Sequence, residues 1–115
     1  MKKYIFILTV LFIGTSVFAQ EDKKVTHKTI GDLIETTYFY ADGSIQQQGT
    51  FNKEGKLHGT WTSFDTKGNK IAVGNYENGK KEGKWTFLVN GEIKEVDYVN
   101  SKVTKISKVD KAVSL

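Results

Sequence analysis

The chain has 115 residues, enough for one domain, and carries 17 basic against 13 acidic residues for a formal charge of +4. All the basic residues are lysine; the lack of arginine argues against a dedicated reader of phosphate or nucleic acid, which uses the planar guanidinium fork. Cysteine and proline are absent too, which excludes disulfide staples and suits paired strands whose every N–H enters a ladder.

Residues 1–19 read as a signal peptide. Lys2 and Lys3 form a short basic region, an apolar stretch runs from Tyr4 to Val17, and Val17-Phe18-Ala19 supplies small residues where the peptidase reads. Cleavage is expected between Ala19 and Gln20. The apolar stretch is 14 residues long, short of the roughly 20 that a membrane span needs. Without cysteine, a bacterial lipoprotein anchor is impossible. The expected product is soluble and exported, periplasmic or extracellular. Removing 19 of 115 residues leaves 96, and losing Lys2 and Lys3 leaves 15 lysines against 13 acids, a charge of +2.

Residues 20–24 are a charged lead-in expected to be mobile, and 25–115 a single β-repeat domain. Val25 to Ile30 alternates loosely, and Gly31-Asp32 breaks the run. Leu33 to Tyr40 is rich in strand formers and meets Asp42-Gly43, read as a type I′ hairpin turn. Ile45 to Phe51 returns. Asn52 to Gly59 is a glycine-punctuated connection, Thr60 to Phe64 the next strand, and Lys67-Gly68-Asn69 turns it into Lys70 to Tyr76. Asn78-Gly79 opens the equivalent connection, ending at Gly83. Lys84 to Val89, Asn90-Gly91 and Glu92 to Tyr98 make a third hairpin. Val103 to Val109 is a last strand, whose regularly spaced lysines discourage edge-to-edge aggregation. No segment holds a 3.6-residue apolar period long enough for a helix. The expectation is an all-β antiparallel meander of about seven or eight strands, elongated and twisted.

A repeat underlies these strands. From Gly43 the glycine gaps run 6, 6, 4 and 9, and from Gly68 they run 6, 5, 4 and 8. Phe51 answers Tyr76 and Trp61 answers Trp85. Such a period marks an array of small units, each unable to bury its own apolar face alone. The units fall at about 38–59, 60–83 and 84–102. Ten aromatics lie between Tyr38 and Tyr98 and supply the main apolar surface. Tyr38 and Tyr40 share a face, as do Trp85 and Phe87, whereas Trp61 and Phe64 are opposed unless a bulge intervenes. Nearby glycines (Gly49, Gly59, Gly74, Gly83) let a ring lie on bare backbone or permit a bend. The rings are either all core or partly the lining of an exposed groove.

The run Gly59-Thr60-Trp61-Thr62-Ser63-Phe64, its turn glycine Gly68, and Gly74-Asn75-Tyr76-Glu77-Asn78-Gly79 closing at Gly83-Lys84-Trp85 resemble units of the MORN-repeat variant family. The grammar is Gly-x-Trp-x-x-aromatic, a turn glycine, Tyr-x-Asn-Gly and a closing Gly-x-Trp, covering about residues 38 to 102. The first unit departs by one extra residue in Phe51-Asn52-Lys53-Glu54-Gly55. The last has Ser101 where a glycine would follow Asn100, and degraded end units are what capping predicts. The resemblance implies stacked hairpins in a twisted sheet and an interaction or scaffold role. Some bacterial relatives are described as antitoxins and some eukaryotic ones are associated with membrane lipid. Similar short chains are sometimes labelled nucleotide adenylyltransferases, but this one has no His-x-Gly-His and no phosphate-cradling loop.

Little else points to chemistry. His27 and His58 are the only histidines, and His58 reads as an exposed turn residue standing where the second unit has Glu82. No spacing brings together three metal ligands. Asp65, Glu77 and Asp97 read as solvated surface, and no serine sits in a nucleophile elbow. The expected function is therefore non-catalytic, without cofactor: an exported module presenting an aromatic-lined face to a protein or cell-envelope glycan. Trp61, Phe64, Tyr76 and Trp85 are the contact candidates, since rigid rings give contact area at low entropy cost. The alternative is an antitoxin or immunity-type partner of one toxin.

Overall fold

Eight strands follow one another and each pairs antiparallel with the next: β1 (Val25–Ile30), β2 (Leu33–Phe39), β3 (Ile45–Phe51), β4 (Gly59–Phe64), β5 (Lys70–Glu77), β6 (Lys80–Val89), β7 (Glu92–Val99) and β8 (Lys102–Val109). The computed structural model describes residues 24–109 and Leu115. The expected signal peptide, its Ala19–Gln20 cleavage point, residues 20–23 of the lead-in and 110–114 of the domain lie outside the described residues. The all-β meander is the architecture the turn spacing and alternation predict, and no helix occurs among the described residues.

Two kinds of turn divide the sheet. From β2 to β5 the chain turns through three-residue loops, each closed by a glycine in the left-handed region, whereas β1 and β2 are joined by the two residues Gly31-Asp32, with Gly31 at φ 60°. Tyr40 N–H donates to Ser44 O at 2.8 Å and Gly43 N–H to Tyr40 O at 2.9 Å. Asn52/Lys56/Gly55 and Asp65/Asn69/Gly68 repeat that pair of bonds. This corrects the reading of Asp42-Gly43 as a type I′ turn. Only Gly43 has positive φ, 94°, and the Asp42 carboxylate instead accepts from Ser44 N–H at 2.9 Å. Asp and Asn favour this role because their short side chains hydrogen-bond the backbone two residues on.

In the second half the loops shrink to two residues. Asn78-Gly79 (φ 49° and 87°), Asn90-Gly91 (52° and 78°) and Asn100-Ser101 (51° and 66°) have positive φ at both positions, the type I′ geometry that matches strand twist. The segment Lys80–Gly83, expected to lie in a connection, is therefore strand: Glu77 pairs with Lys80 and Tyr76 with Lys81. A register shift between Val73 and Asn75 absorbs the residues around Gly83.

Register fixes the faces. One row crosses the sheet through Thr36 and Gly49, Trp61 and Gly74, and Trp85, Val96 and Ile106. Trp61 and Trp85 are 3% and 5% exposed, and Thr36 is fully buried, its hydroxyl 3.0 Å from His27 Nδ1. The other face is sparser: Thr37, bonded by Gln48 Nε2 at 2.8 Å, and Ile93 opposite Leu88. Among the described residues, inter-strand contacts run between successive strands, and the sheet's own rings shield its row.

Candidate functional site: the ring-lined face

The site is built twice by one device. Gly49 lies beneath the indole of Trp61, and Gly74 beneath that of Trp85; a methyl group at either glycine would fall inside the ring. The close approach places each indole N–H against the strand it covers. Trp61 Nε1 donates to Thr50 O at 3.0 Å and Trp85 Nε1 to Asn75 O at 3.1 Å. Both buried rings thus satisfy their single polar atom, as buried tryptophan requires.

Between the indoles the rings interlock. Phe51 meets Trp61 edge-on at 5.2 Å, Trp61 meets Tyr76 at 6.4 Å, Tyr76 meets Trp85 at 5.1 Å and Trp85 meets Tyr98 at 5.9 Å, with interplanar angles of 75–89°. Edge-to-face contacts place the positive rim of one ring on the negative face of the next, each worth about 0.5–1.5 kcal/mol beyond burial. Tyr38 lies 6.4 Å from Trp61, and Phe87 stacks on Trp85 at 6.0 Å and 22°. Lys81 Nζ sits 5.3 Å from the Trp85 ring and 5.0 Å from that of Tyr98, a cation–π contact at the face's rim. Burial raises the pKa of Tyr38; burial and then the neighbouring Tyr98 raise that of Tyr76.

The four ring residues named from sequence divide. Trp61, Tyr76 and Trp85 come together in this array. The two indoles are buried, while Tyr76 is half-buried with part of its ring at the surface. Phe64 is half-buried and stands outside the array. The register of β4 against β5 shifts between Ser63 and Phe64, the irregularity on which its opposition to Trp61 depended, and its carbonyl accepts from Tyr40 Oη at 2.6 Å. That bond sends Tyr40 across to the end of β4, off the strand it was expected to share with Tyr38. Phe51, Phe87, Tyr98 and Lys81 belong to the face and were not singled out as contacts. The signal was available: Phe51, Tyr76 and Tyr98 each precede a turn asparagine by one or two residues.

A second repeated arrangement ties the turns together. Asn78 N–H donates to His58 Nδ1 at 3.1 Å, and Asn100 N–H to Glu82 Oε2 at 2.8 Å. Beside them Gly79 N–H donates to Leu57 O at 2.7 Å, and Ser101 N–H to Lys81 O at 2.9 Å. His58 and Glu82 are therefore equivalent acceptors, and His58, expected to be an exposed turn residue, is half-buried with a structural bond. Open polar clefts flank Asn78, one lined by Asn52, Glu54 and His58, the other by Lys56, Glu82 and Asn100. Among the described residues no group of three His, Asp or Glu side chains is placed to hold a metal ion.

Comparison of the chain with known protein families, with characterised proteins and with solved structures finds no match.

Proposed function

We propose that the chain is an exported, non-catalytic binding module whose ring-lined sheet face meets a protein or a cell-envelope glycan. The observation that carries this reading is the interlocked array on a face over which, among the described residues, no other strand packs. Buried Trp61 and Trp85 act as a rigid floor, and the half-buried rings of Tyr38, Tyr76, Phe87 and Tyr98 are the part a partner touches. Their geometry is fixed before binding, so contact costs little ordering entropy. The resemblance to MORN-repeat variants, themselves interaction modules, agrees with this reading.

The test is capture with the Gln20–Leu115 protein from envelope and culture-fluid fractions, alongside binding to peptidoglycan and polysaccharide. Tyr76→Ala and Tyr98→Ala are expected to keep the β-type circular dichroism spectrum and to lose the captured partner or glycan. If both variants stay folded and retain every ligand, the face is not the contact surface. Capture of one small protein toxin in equal stoichiometry would make the chain an immunity-type partner instead.

A further inference from the structure

Among the described residues the meander is open, and β1 and β8 each leave one side of the backbone unpaired within the sheet. At β8 the glycine–tryptophan device gives out. Val96 stands where Gly49 and Gly74 stand in the inner units, and its register partner Ile106 stands where Trp61 and Trp85 stand. The buried row therefore runs into solvent: Ile106 is 67% exposed and Val103, opposite Tyr98, is 51% exposed. These apolar side chains are interspersed with Lys102, Lys105 and Lys108. Lys108 pairs with Glu92 at 3.2 Å; among the described residues Lys102 and Lys105 have no carboxylate within ion-pair distance.

That combination selects what fits the edge. A second β8 would set lysines against lysines, and like charges directly across strands are unfavourable. The β1 of another copy brings His27 and Lys28 and no acid. A strand that complements β8 offers apolar residues beside Val103 and Ile106 and carboxylates toward Lys102 and Lys105. We infer that the free edge of β8 receives an extended acidic segment of a partner protein, added to the sheet as a ninth strand. Main-chain hydrogen bonds supply the adhesion and the alternating side chains the selectivity. Val103 and Ile106 continue the ring-lined face, but the edge binds through the unpaired backbone of β8 and through Lys102 and Lys105. Amide protection in β8 and loss at Tyr76→Ala or Tyr98→Ala therefore distinguish the two surfaces.

The probe is an end-capped eight-residue peptide in which glutamate and valine alternate, with a lysine–valine peptide as control. Both are titrated into the isotope-labelled Gln20–Leu115 protein and followed by amide shifts and hydrogen exchange. The acidic peptide is expected to slow exchange at alternate amides of β8, and to bind at least about tenfold more tightly than the control, with affinity falling as salt rises. Lys105 stands across from Asp97, so it is neutralised rather than reversed. The double variant Lys102→Glu/Lys105→Gln, at exposed positions, is expected to keep the fold and to abolish the preference for the acidic peptide. Equal binding of both peptides, protection confined to the ring-lined face, or no shift in β8 at millimolar peptide would each overturn the inference. So would sedimentation showing a dimer of the protein alone that Ile106→Lys dissolves.

Discussion

The unit built on Trp61 and the unit built on Trp85 bury the same ring over the same glycine, yet they are framed differently. Around Trp85, β5 and β6 turn through Asn78-Gly79 and pair from Glu77–Lys80 onward. Around Trp61, the extra residue in Asn52–Gly55 makes a three-residue loop, and β3 and β4 keep only Gln47–Ser63 and Gln48–Thr62 in register. Side chains make up the difference. Thr50 Oγ1 donates to His58 O, and Asn52 Oδ1 accepts from Glu54 and Lys56 N–H at 3.0 Å each. The indole hydrogen bond and the edge-on phenyl are nevertheless the same in both units. The packing is the constant part of the repeat and the backbone frame is the variable part.

The sharpest way to break the comparison is at the glycines. Alanine at Gly74 or Gly49 must expel an indole, so each is expected to cost about as much as truncating the ring, about 3–5 kcal/mol, read by urea unfolding. Gly74 is expected to cost more, because it lies under Trp85 and also pairs with Trp61. Equal and small losses at both would mean that the rings reseat. A smaller effect tests the frame: replacing Lys53-Glu54-Gly55 with Asn-Gly imposes the two-residue turn on the first unit. Stability is expected to change by less than about 1 kcal/mol, since loop residues are exposed and the ring contacts are untouched. A loss as large as that of Gly49→Ala would show the loop to be part of the packing.

Next come the turn bonds. His58→Ala is expected to speed hydrogen exchange at Asn78 and leave Asn100 unchanged, and Glu82→Ala to do the converse. Each should cost about 1 kcal/mol, the usual net worth of such a bond. The smallest effects concern pH. The Asp65 carboxylate accepts from Asn69 N–H and Lys67 N–H at 2.9 Å each, and its pKa is lowered first by the Asn69 backbone bond. Asp42 is lowered by Ser44. A depressed carboxylate stabilises the fold above its unfolded value of 3.8, and that contribution is lost as pH falls through the lower folded value. Asp65→Ala should therefore flatten the acid limb of the stability curve. Tyr76 works in the opposite sense. Its raised pKa costs nothing below the ordinary 10.0, and stability declines as pH climbs from there toward the folded value. Tyr76→Phe should lessen that decline, leaving the share of Tyr38, whose pKa burial also raises.

Much of this was legible in the chain. The glycine gaps and the Trp61–Trp85 and Phe51–Tyr76 echoes located the repeat, because a ring on bare backbone can be written only with glycine and an aromatic. Loop geometry was harder to read. Asp42-Gly43 and Asn78-Gly79 look alike as dipeptides, and what separates them is where the flanking residues pair: Tyr40 with Ser44, but Glu77 with Lys80. Lys80–Gly83 looked like a connection because its lysines and glycine hide a strand whose inward residue, Lys81, lies against rings. The role of His58 was invisible, since its bond is to a backbone N–H 20 residues on, which no local pattern encodes.

The bonds from Asn78 and Gly79 back to His58 and Leu57, and from Asn100 and Ser101 back to Glu82 and Lys81, carry one more consequence. The second and third units are each fastened to the one before by the same pair of backbone donors, and nothing in the arrangement refers to the total count. Stability in such a stack is a sum of units and nearest-neighbour junctions. A further copy of residues 60–83 spliced in after Gly83 would find a partner on each side, and the sheet would lengthen like a zip given more teeth.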